Sequence, residues 1–453
     1  VTDLYPYQEK GVRKINHFKG RVLLADEMGL GKTLQALTWL VEDPEKRMPA
    51  VVVCPAHLKY STWEYEARDK CGIISNVLEG QKAQRRHVSP RNKIIIVNYD
   101  IVKYWKEVIL ELGAKTLILD ETHFIKEETS DRTIACQKMG KLFDYMILIS
   151  GTPLLNRPIE LFPSLKMIRP DLFKSKWLFG KRYCHIRYFR GWKFEGAKNM
   201  DELHSILSKT MMIRRRTEEC EIDLPPKSRV ILPLDIGREG RKEYREAKDH
   251  FLQWLYAKSP GKAARAKKAE SITKIGYLKR LIGLLKLRAV TKWIEDFLED
   301  TDEKLVLYGV HRKVLQHLQR KFPEISVTIN GGSSKGNRKH AVSSFQQNPN
   351  KRLFLGQIQA AGTGITLTAA SKLAFVEFGW TPGEHLQVEN RIYRITQERH
   401  STIYYLMAKD TIEEVMVRLL HKKYKHMNDV LDGGVGNDFN ILAELEEALK
   451  NEK

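Results

Sequence analysis

The sequence predicts an α/β protein made of two parallel-sheet lobes in tandem with helical insertions, and three observations carry that prediction. Short runs rich in Val, Ile and Leu alternate with helical stretches through the first half; a second series of the same kind starts near Lys304; a long, basic, helical stretch separates the two. Short apolar runs without polar alternation are what strands buried on both faces of a parallel sheet require, and intervening helices supply the crossovers that parallel strands need.

In the first lobe the runs are Arg21–Ala25, Ala50–Cys54, Lys93–Val97, Lys115–Leu119 and Tyr145–Ile149, with Thr33–Val41 as the helix after the first. From Pro158 to about Pro226 the pattern turns helical and aromatic-rich, closing at the turn signal Leu224-Pro225-Pro226. Residues 258–292 then carry eleven Lys or Arg against one acid, Glu270, and their front part, 259–264, reads as a loop. This stretch suits a basic clamp on a nucleic-acid backbone and a solvated helical linker equally. The second series comprises Lys304–Tyr308, Ser326–Ile329, Arg352–Leu355, Lys372–Phe378 and Thr402–Met407. After Gly433-Gly434, Ile441–Lys450 reads as an acidic amphipathic helix that packs or caps. The expected organisation is therefore a first lobe over 1–157, a helical insertion over 158–230, a basic helical linker over 231–300, a second lobe over 301–432 and a tail helix over 433–453.

The chain has 453 residues, 42% of them hydrophobic, which is ample for more than one core, and no apolar run approaches a membrane span. Lys and Arg exceed Asp and Glu by 77 to 56, a formal charge of +21. An excess of that size favours a polyanionic partner, since each cation that neutralises a phosphate releases counterions. Val1–Pro6 is polar and aromatic rather than charged and then apolar, unlike a secretory signal. The five cysteines are an odd number without C-x-x-C spacing, which speaks against a disulfide framework or a zinc site and for a reducing, intracellular compartment.

The chemistry starts at Asp26-Glu27-Met28-Gly29-Leu30-Gly31-Lys32-Thr33, between a strand and a helix. Glycines let backbone N–H groups approach phosphates and the helix N-terminus adds positive potential, so Gly29, Leu30 and Gly31 form a phosphate cradle. Lys32 would reach the β- and γ-phosphates and Thr33 would ligate Mg2+. The general pattern wants Gly where Asp26 stands. Asp120-Glu121 ends the apolar run Thr116–Leu119, which delivers both carboxylates to the carboxyl edge of a sheet. Asp120 would hold Mg2+ through water and Glu121 would orient and deprotonate the attacking water. Such a pair also serves simply to satisfy a helix dipole; its pairing with the phosphate loop decides for chemistry. Ser150 and Thr152, on the turn after the next strand, place hydroxyls where hydrolysis could be sensed. Far downstream Gln387, Arg391 and Arg394 fall at helical spacings on one face, and arginines there can stabilise the charge of a transferring phosphoryl group.

In this order the blocks resemble helicase superfamily 2, specifically the Swi/Snf-like ATP-dependent DNA translocases, from Leu4 to about Leu420. Leu4–Gln8 resembles the adenine-reading Q motif, with Tyr5 in place of the usual Arg, which implies that Gln8 reads the base. The Asp26 form of the phosphate loop is the family's own. Pro55 with Trp63 and Glu66 resembles motif Ia, Asn98-Tyr99-Asp100 lies where motif Ib lies, and Thr122 replaces an Ala or Ser in motif II. Ala361–Leu367 resembles motif V and Gln387–Gln397 motif VI, where Asn390 and Thr396 replace an acid and a Gly. The resemblance implies two RecA-like lobes, ATP and Mg2+ as cofactors, Gly364 and Gln387 as further nucleotide contacts, and Arg391 and Arg394 as arginine fingers. It implies a monomeric motor tracking double-stranded DNA without reading sequence, near Lys59, Asn98, Tyr99, Gly332 and Thr363, with no membrane partner. Arg182-Tyr183-Cys184 with Gly191-Trp192, Gly196, Asn199 and Glu202-Leu203, and Glu377–Gly383, resemble the annealing-helicase, fork-remodelling branch. A strand-separating DNA or RNA helicase and a nucleotide-gated DNA-binding module are the alternative readings.

Overall fold

The computed structural model describes residues 3–431 apart from 86–87, 90–92, 152, 154–156, 189–190, 221–223, 252, 254–269 and 363. The chain divides into two compact units whose main segments are Val1–Ile222 and Asp223–Tyr424. Each is built on its own sheet.

The strands of the first unit are Arg21–Leu24 (β1), Ala50–Cys54 (β2), Ser75–Val77 (β3), Ile94–Asn98 (β4), Thr116–Asp120 (β5) and Tyr145–Ile149 (β6), then a separate hairpin of His185–Tyr188 (β7) and Trp192–Glu195 (β8), and finally Met212–Ile213 (β9). Seven of them form one sheet in the order β3-β4-β2-β5-β6-β1-β9, and its pairings are all parallel. Every residue of β2, β4 and β5 is buried, as their unbroken apolar runs require. The helix Lys32–Glu42 follows β1 and turns Ala36, Leu37 and Leu40 inward, into the same core as Val12 and Ile15 of the helix Pro6–His17. That first helix starts with Pro6 at a position whose N–H has no intrahelical partner, where Pro costs nothing.

The second unit holds Lys227–Leu234 (β10), Leu305–Gly309 (β11), Ser326–Ile329 (β12), Leu353–Gln357 (β13), Lys372–Phe375 (β14) and Ser401–Ala408 (β15). They form a six-stranded parallel sheet in the order β10-β15-β14-β11-β13-β12. β10 stands outside the strands read from the sequence because Pro233 interrupts its pattern; as an edge strand it tolerates a residue without an N–H.

Of the basic stretch 258–292, residues 258–269 lie outside the described residues. The rest forms the helix Glu270–Leu285 and the start of Leu287–Asp300. Two of its cations turn inward rather than to solvent. Lys286 is fully buried, with Nζ 2.7 Å from both Glu413 carboxylate oxygens and from Leu406 O, so all three ammonium protons are used. Lys279, 3% exposed, lies 3.9 Å over the Trp380 ring, and burial pulls it down to about 8. The tail helix expected at Ile441–Lys450 lies outside the described residues. No helix among the described residues is long and apolar enough to cross a membrane.

Candidate active site

In the first sheet β5, β6 and β1 are neighbours, and their carboxyl ends carry Asp120-Glu121, Ser150-Gly151 and the loop Asp26–Thr33. Ligands bind at this edge in open α/β sheets. Gly29 and Gly31 both hold left-handed backbone, with φ of 90° and 68°, a conformation that turns successive N–H groups to one side. Lys32 opens the following helix and donates from Nζ to Asp26 O at 2.8 Å and Glu27 O at 3.0 Å. Burial lowers its pKa, opposed by the carboxylates of Asp26, Glu121, Asp120 and Glu27. Gly151 leaves room for this arrangement: a Cβ there would lie 2.4 Å from Met28 Cγ and 3.2 Å from Lys32 Nζ. Gly151→Ala therefore forces Met28 or Lys32 to move, at an overpacking cost of about 1–3 kcal/mol. The expected result is nucleotide affinity weaker by about tenfold or more in a fluorescent-nucleotide titration; unchanged affinity would show that Met28 alone yields.

Asp120 is held from two sides. Its Oδ2 accepts Trp63 Nε1–H at 2.8 Å, and its Oδ1 accepts Glu121 N–H at 2.9 Å. Burial and the adjacent Glu121 carboxylate push its pKa up to about 7, against the Trp63 bond and Lys32. Glu121 has φ 54°, left-handed for a residue with a Cβ, and His123 Nδ1 stands 3.3 Å from its Oε2. Such backbone costs about 1–3 kcal/mol and persists only where the surroundings over-determine it, most often at functional sites. Two crowded carboxylates and a hydroxyl at Thr33 are all-oxygen donors, which fits Mg2+ held partly by phosphates, while the glycine cradle presents N–H groups to those phosphates. Among the described residues no cluster of three or more His, Cys, Asp or Glu could bind a metal on its own, and Mg2+ bound with a nucleotide needs none.

Asp26, fully buried, is a counterion rather than a vestige of the missing glycine. Arg215 Nε donates to its Oδ1 at 3.0 Å, Arg215 Nη2 pairs with its Oδ2, and Gln35 Nε2 donates to Oδ2 at 3.1 Å. Arg215 also donates to Tyr7 O and to Gln35 Oε1. Its neighbour Thr217 donates from N and Oγ1 to Glu27 Oε2, both at 2.8 Å. Leu30 O accepts from Tyr7 OH, Gln8 Nε2 and Gln35 Nε2 at 3.2, 3.3 and 3.2 Å. Gln8 is 2% exposed and its Oε1 accepts Tyr5 N–H at 3.0 Å, so its amide bridges the first helix and the phosphate loop. Arg215→Ala would strand Asp26 as an uncompensated buried charge. The expected loss is about 3–5 kcal/mol of stability, read from the denaturation midpoint; a loss under about 1 kcal/mol would mean the carboxyl finds another partner.

In the second unit Arg391 and Arg394 are packed on the loop expected as motif V. Arg391 Nη1 donates to Ile365 O at 3.1 Å and Arg394 Nη1 to Thr366 Oγ1 at 2.5 Å, next to Gly364 with φ 71°. The helical face expected for Gln387, Arg391 and Arg394 is corrected: the helix Pro382–Glu389 ends before both arginines, which sit in turns. Arg391 Nε caps the helix end by donating to Gln387 O at 2.7 Å. The helix stops where Glu389 is drawn inward, accepting two bonds from Arg229 at 2.8 and 2.7 Å and one from Lys227 at 3.2 Å. Burial alone would raise that carboxyl; the two cations outweigh it and hold it at about 2. Gly332 is exposed on a loop tied to β13 by Gly331 N–H and Gln357 Oε1 at 3.0 Å.

The SNF2-related domain model matches residues 7–292, and the helicase conserved C-terminal domain model matches residues 286–396. The chain belongs to the SNF2-related family. Among curated proteins, the human DNA annealing helicase and endonuclease ZRANB3 is 32% identical over 453 residues, covering 95% of this chain and 40% of that protein. The Caenorhabditis elegans homologue of SWI/SNF-related matrix-associated actin-dependent regulator of chromatin subfamily A-like protein 1 is 32% identical over 439 residues, 95% of this chain and 62% of that protein. The chain thus spans about two fifths of the length of the ZRANB3 relatives it matches. Among solved structures, the Sulfolobus solfataricus SWI2/SNF2 ATPase core in complex with dsDNA is 24% identical, with 99% of this chain and 96% of that one covered and a TM-score of 0.43.

Within this SNF2 chain the residues expected from motifs I and II and the Ser150 turn lie on three adjacent strand ends, and those of motifs V and VI pack on one another. Thr152 and Thr363 lie outside the described residues, and Ser150 is buried at the end of β6. Lys59, Asn98 and Tyr99 are buried. Lys59 Nζ donates to Leu78 O at 2.8 Å and Tyr99 OH to Asp120 O at 2.7 Å, so these two donors are engaged within the first unit. Sequence reasoning missed Arg215, Gln35 and Thr217, and gave Trp63 no role beside Asp120. The one signal for the first was the run Arg214-Arg215-Arg216 directly after the apolar Met211–Ile213.

Proposed function

We propose that the chain is a DNA-dependent ATPase that hydrolyses ATP to ADP and phosphate and couples this to movement along double-stranded DNA. The observation that carries the proposal is the convergence of Lys32, Asp120, Glu121 and Gly151 on three adjacent strand ends, with Glu121 in a strained left-handed conformation. Gly29, Leu30 and Gly31 would present backbone N–H groups to the phosphates, and Lys32 would exchange its bonds to Asp26 O and Glu27 O for phosphate oxygens. Thr33 and Asp120 would hold Mg2+, which supplies positive charge against the charge developing on those oxygens. Glu121 takes the proton of the attacking water. Gln8, Gly364 and Gln387 contact the nucleotide, Arg391 and Arg394 stabilise the transferring phosphoryl group, and Ser150 and Thr152 report its loss.

The annealing-helicase character of the relatives supports remodelling or annealing without obligatory strand separation. We assign the contacts nearest the DNA backbone to Lys59, Asn98, Tyr99, Gly332 and Thr363. The charge of +21 supports a sequence-independent phosphate contact. The motor acts as a monomer in a reducing, intracellular compartment. The test is the ATPase rate across duplex DNA, single-stranded DNA and RNA. Best stimulation by duplex, with affinity falling steeply as salt rises, is expected; best stimulation by RNA would overturn the proposal, as would negligible hydrolysis with saturating duplex and Mg2+.

A further inference from the structure

We propose that the β7–β8 hairpin is a docking surface for an unpaired DNA strand, a reading that rests on the DNA motor proposed above. The hairpin pairs His185 with Glu195, Ile186 with Phe194, Arg187 with Lys193 and Tyr188 with Trp192. Side chains alternate across a strand. Ile186, Phe194, Tyr188 and Trp192 therefore share one face, and Arg187 and Lys193 oppose each other on the other.

The aromatic face is anchored mainly at its Phe194 end. Phe194 fills a notch at Gly180, where a Cβ would lie 2.2 Å from its ring, and Trp177 meets Phe194 and Trp192 edge-on at 5.7 and 5.2 Å. At the other end Tyr188 and Trp192, 5.1 Å apart, are 69% and 60% exposed. Burying such a ring would stabilise the fold by roughly 1.5–3 kcal/mol, and here that gain is forgone twice. On the other face Arg187 and Lys193 are exposed and directly opposite, with the His185–Glu195 pair beside them.

The exposed rings on one face and the cations on the other suit one ligand. Bases stack on exposed rings for about 1–3 kcal/mol each, and phosphates suit the exposed cations Arg187 and Lys193. Duplex DNA keeps its base faces stacked inside and offers none to Tyr188 and Trp192. Charge selects nucleic acid over a protein partner: residues 172–198 carry eight Lys or Arg against a single acid, Glu195.

The experiment is fluorescence anisotropy with a labelled oligo-dT strand and, in parallel, oligo-rU. Wild type is compared with Tyr188→Ala/Trp192→Ala and with Arg187→Glu/Lys193→Glu. Each double variant should bind oligo-dT about tenfold or more weakly, whereas Tyr188→Phe/Trp192→Phe, which keeps the rings, should bind as wild type. Blunt-duplex-stimulated ATPase should be equal in all four proteins. Unchanged oligo-dT affinity in both disruptive variants overturns the proposal and leaves a protein-contact surface; a hairpin-dependent preference for oligo-rU overturns the DNA assignment. A wild type whose ATPase ignores duplex sinks the motor reading instead, while the oligonucleotide titrations still report on the hairpin.

Discussion

Arg394→Ala is expected to slow duplex-stimulated ATP hydrolysis by roughly 10³–10⁵-fold, the range for loss of a full arginine finger. The structure makes it the cleaner of the two arginines to remove. Arg391 is 9% exposed and commits Nε and Nη1 to the backbone carbonyls of Gln387 and Ile365, so its loss would also unseat the turn after the helix Pro382–Glu389. Arg394 reaches a side-chain hydroxyl, Thr366 Oγ1. The measurement is steady-state turnover beside a thermal melt. A melt within a few degrees of wild type with turnover down by the stated range supports the role; a loss under about tenfold demotes Arg394 to a packing residue. Arg394→Lys keeps the charge but not the planar fork, and should recover little.

Glu121→Gln is expected to lower turnover by about 10²–10⁴-fold, the contribution of a positioned general base, while nucleotide binding persists. Gln keeps the size and the left-handed backbone, so the phosphate loop and Asp120 have no reason to move. Single-turnover hydrolysis and a nucleotide titration on the same protein separate the two effects, and unchanged turnover would refute the assignment. A second substitution isolates the strain. Glu121→Gly removes the Cβ that makes φ 54° costly, so it should cost no stability while activity is lost as in Glu121→Gln. Stability that falls sharply instead would mean the side chain holds the site together rather than serving chemistry.

The two sheets were legible because β2, β4, β5 and β11 each carry an unbroken apolar run and need no partner to be recognised. The phosphate loop and the Asp120-Glu121 pair were legible because their spacing within a single turn carries the chemistry. What escaped depends on residues remote in sequence. β9 is two residues long and exists by pairing with β1. β10 holds Pro233 and is admitted only by its place at an edge. The helix that was expected to run through Arg394 ends at Glu389, whose carboxylate is held by Lys227 and Arg229 on a strand some 160 positions earlier. Lys59 and Tyr99 were placed near DNA by the family resemblance, and no motif shows that their donors reach carbonyls at Leu78 and Asp120. No local window contains those facts.

The bond between Asp26 and Arg215 also sets an order of events in the life of the chain. The two residues are 189 positions apart, and β9, which flanks β1, lies just before the second of them. At about 5–20 residues per second of synthesis, the nucleotide loop waits roughly 10–40 seconds after it emerges before its counterion exists. During that interval Asp26 must stay hydrated, so the loop cannot close and the sheet around β1 is unfinished. Nucleotide competence thus arrives late and all at once, when the segment around Arg215 docks, and a nascent or truncated chain ending before that point should carry an intact loop sequence with no working loop.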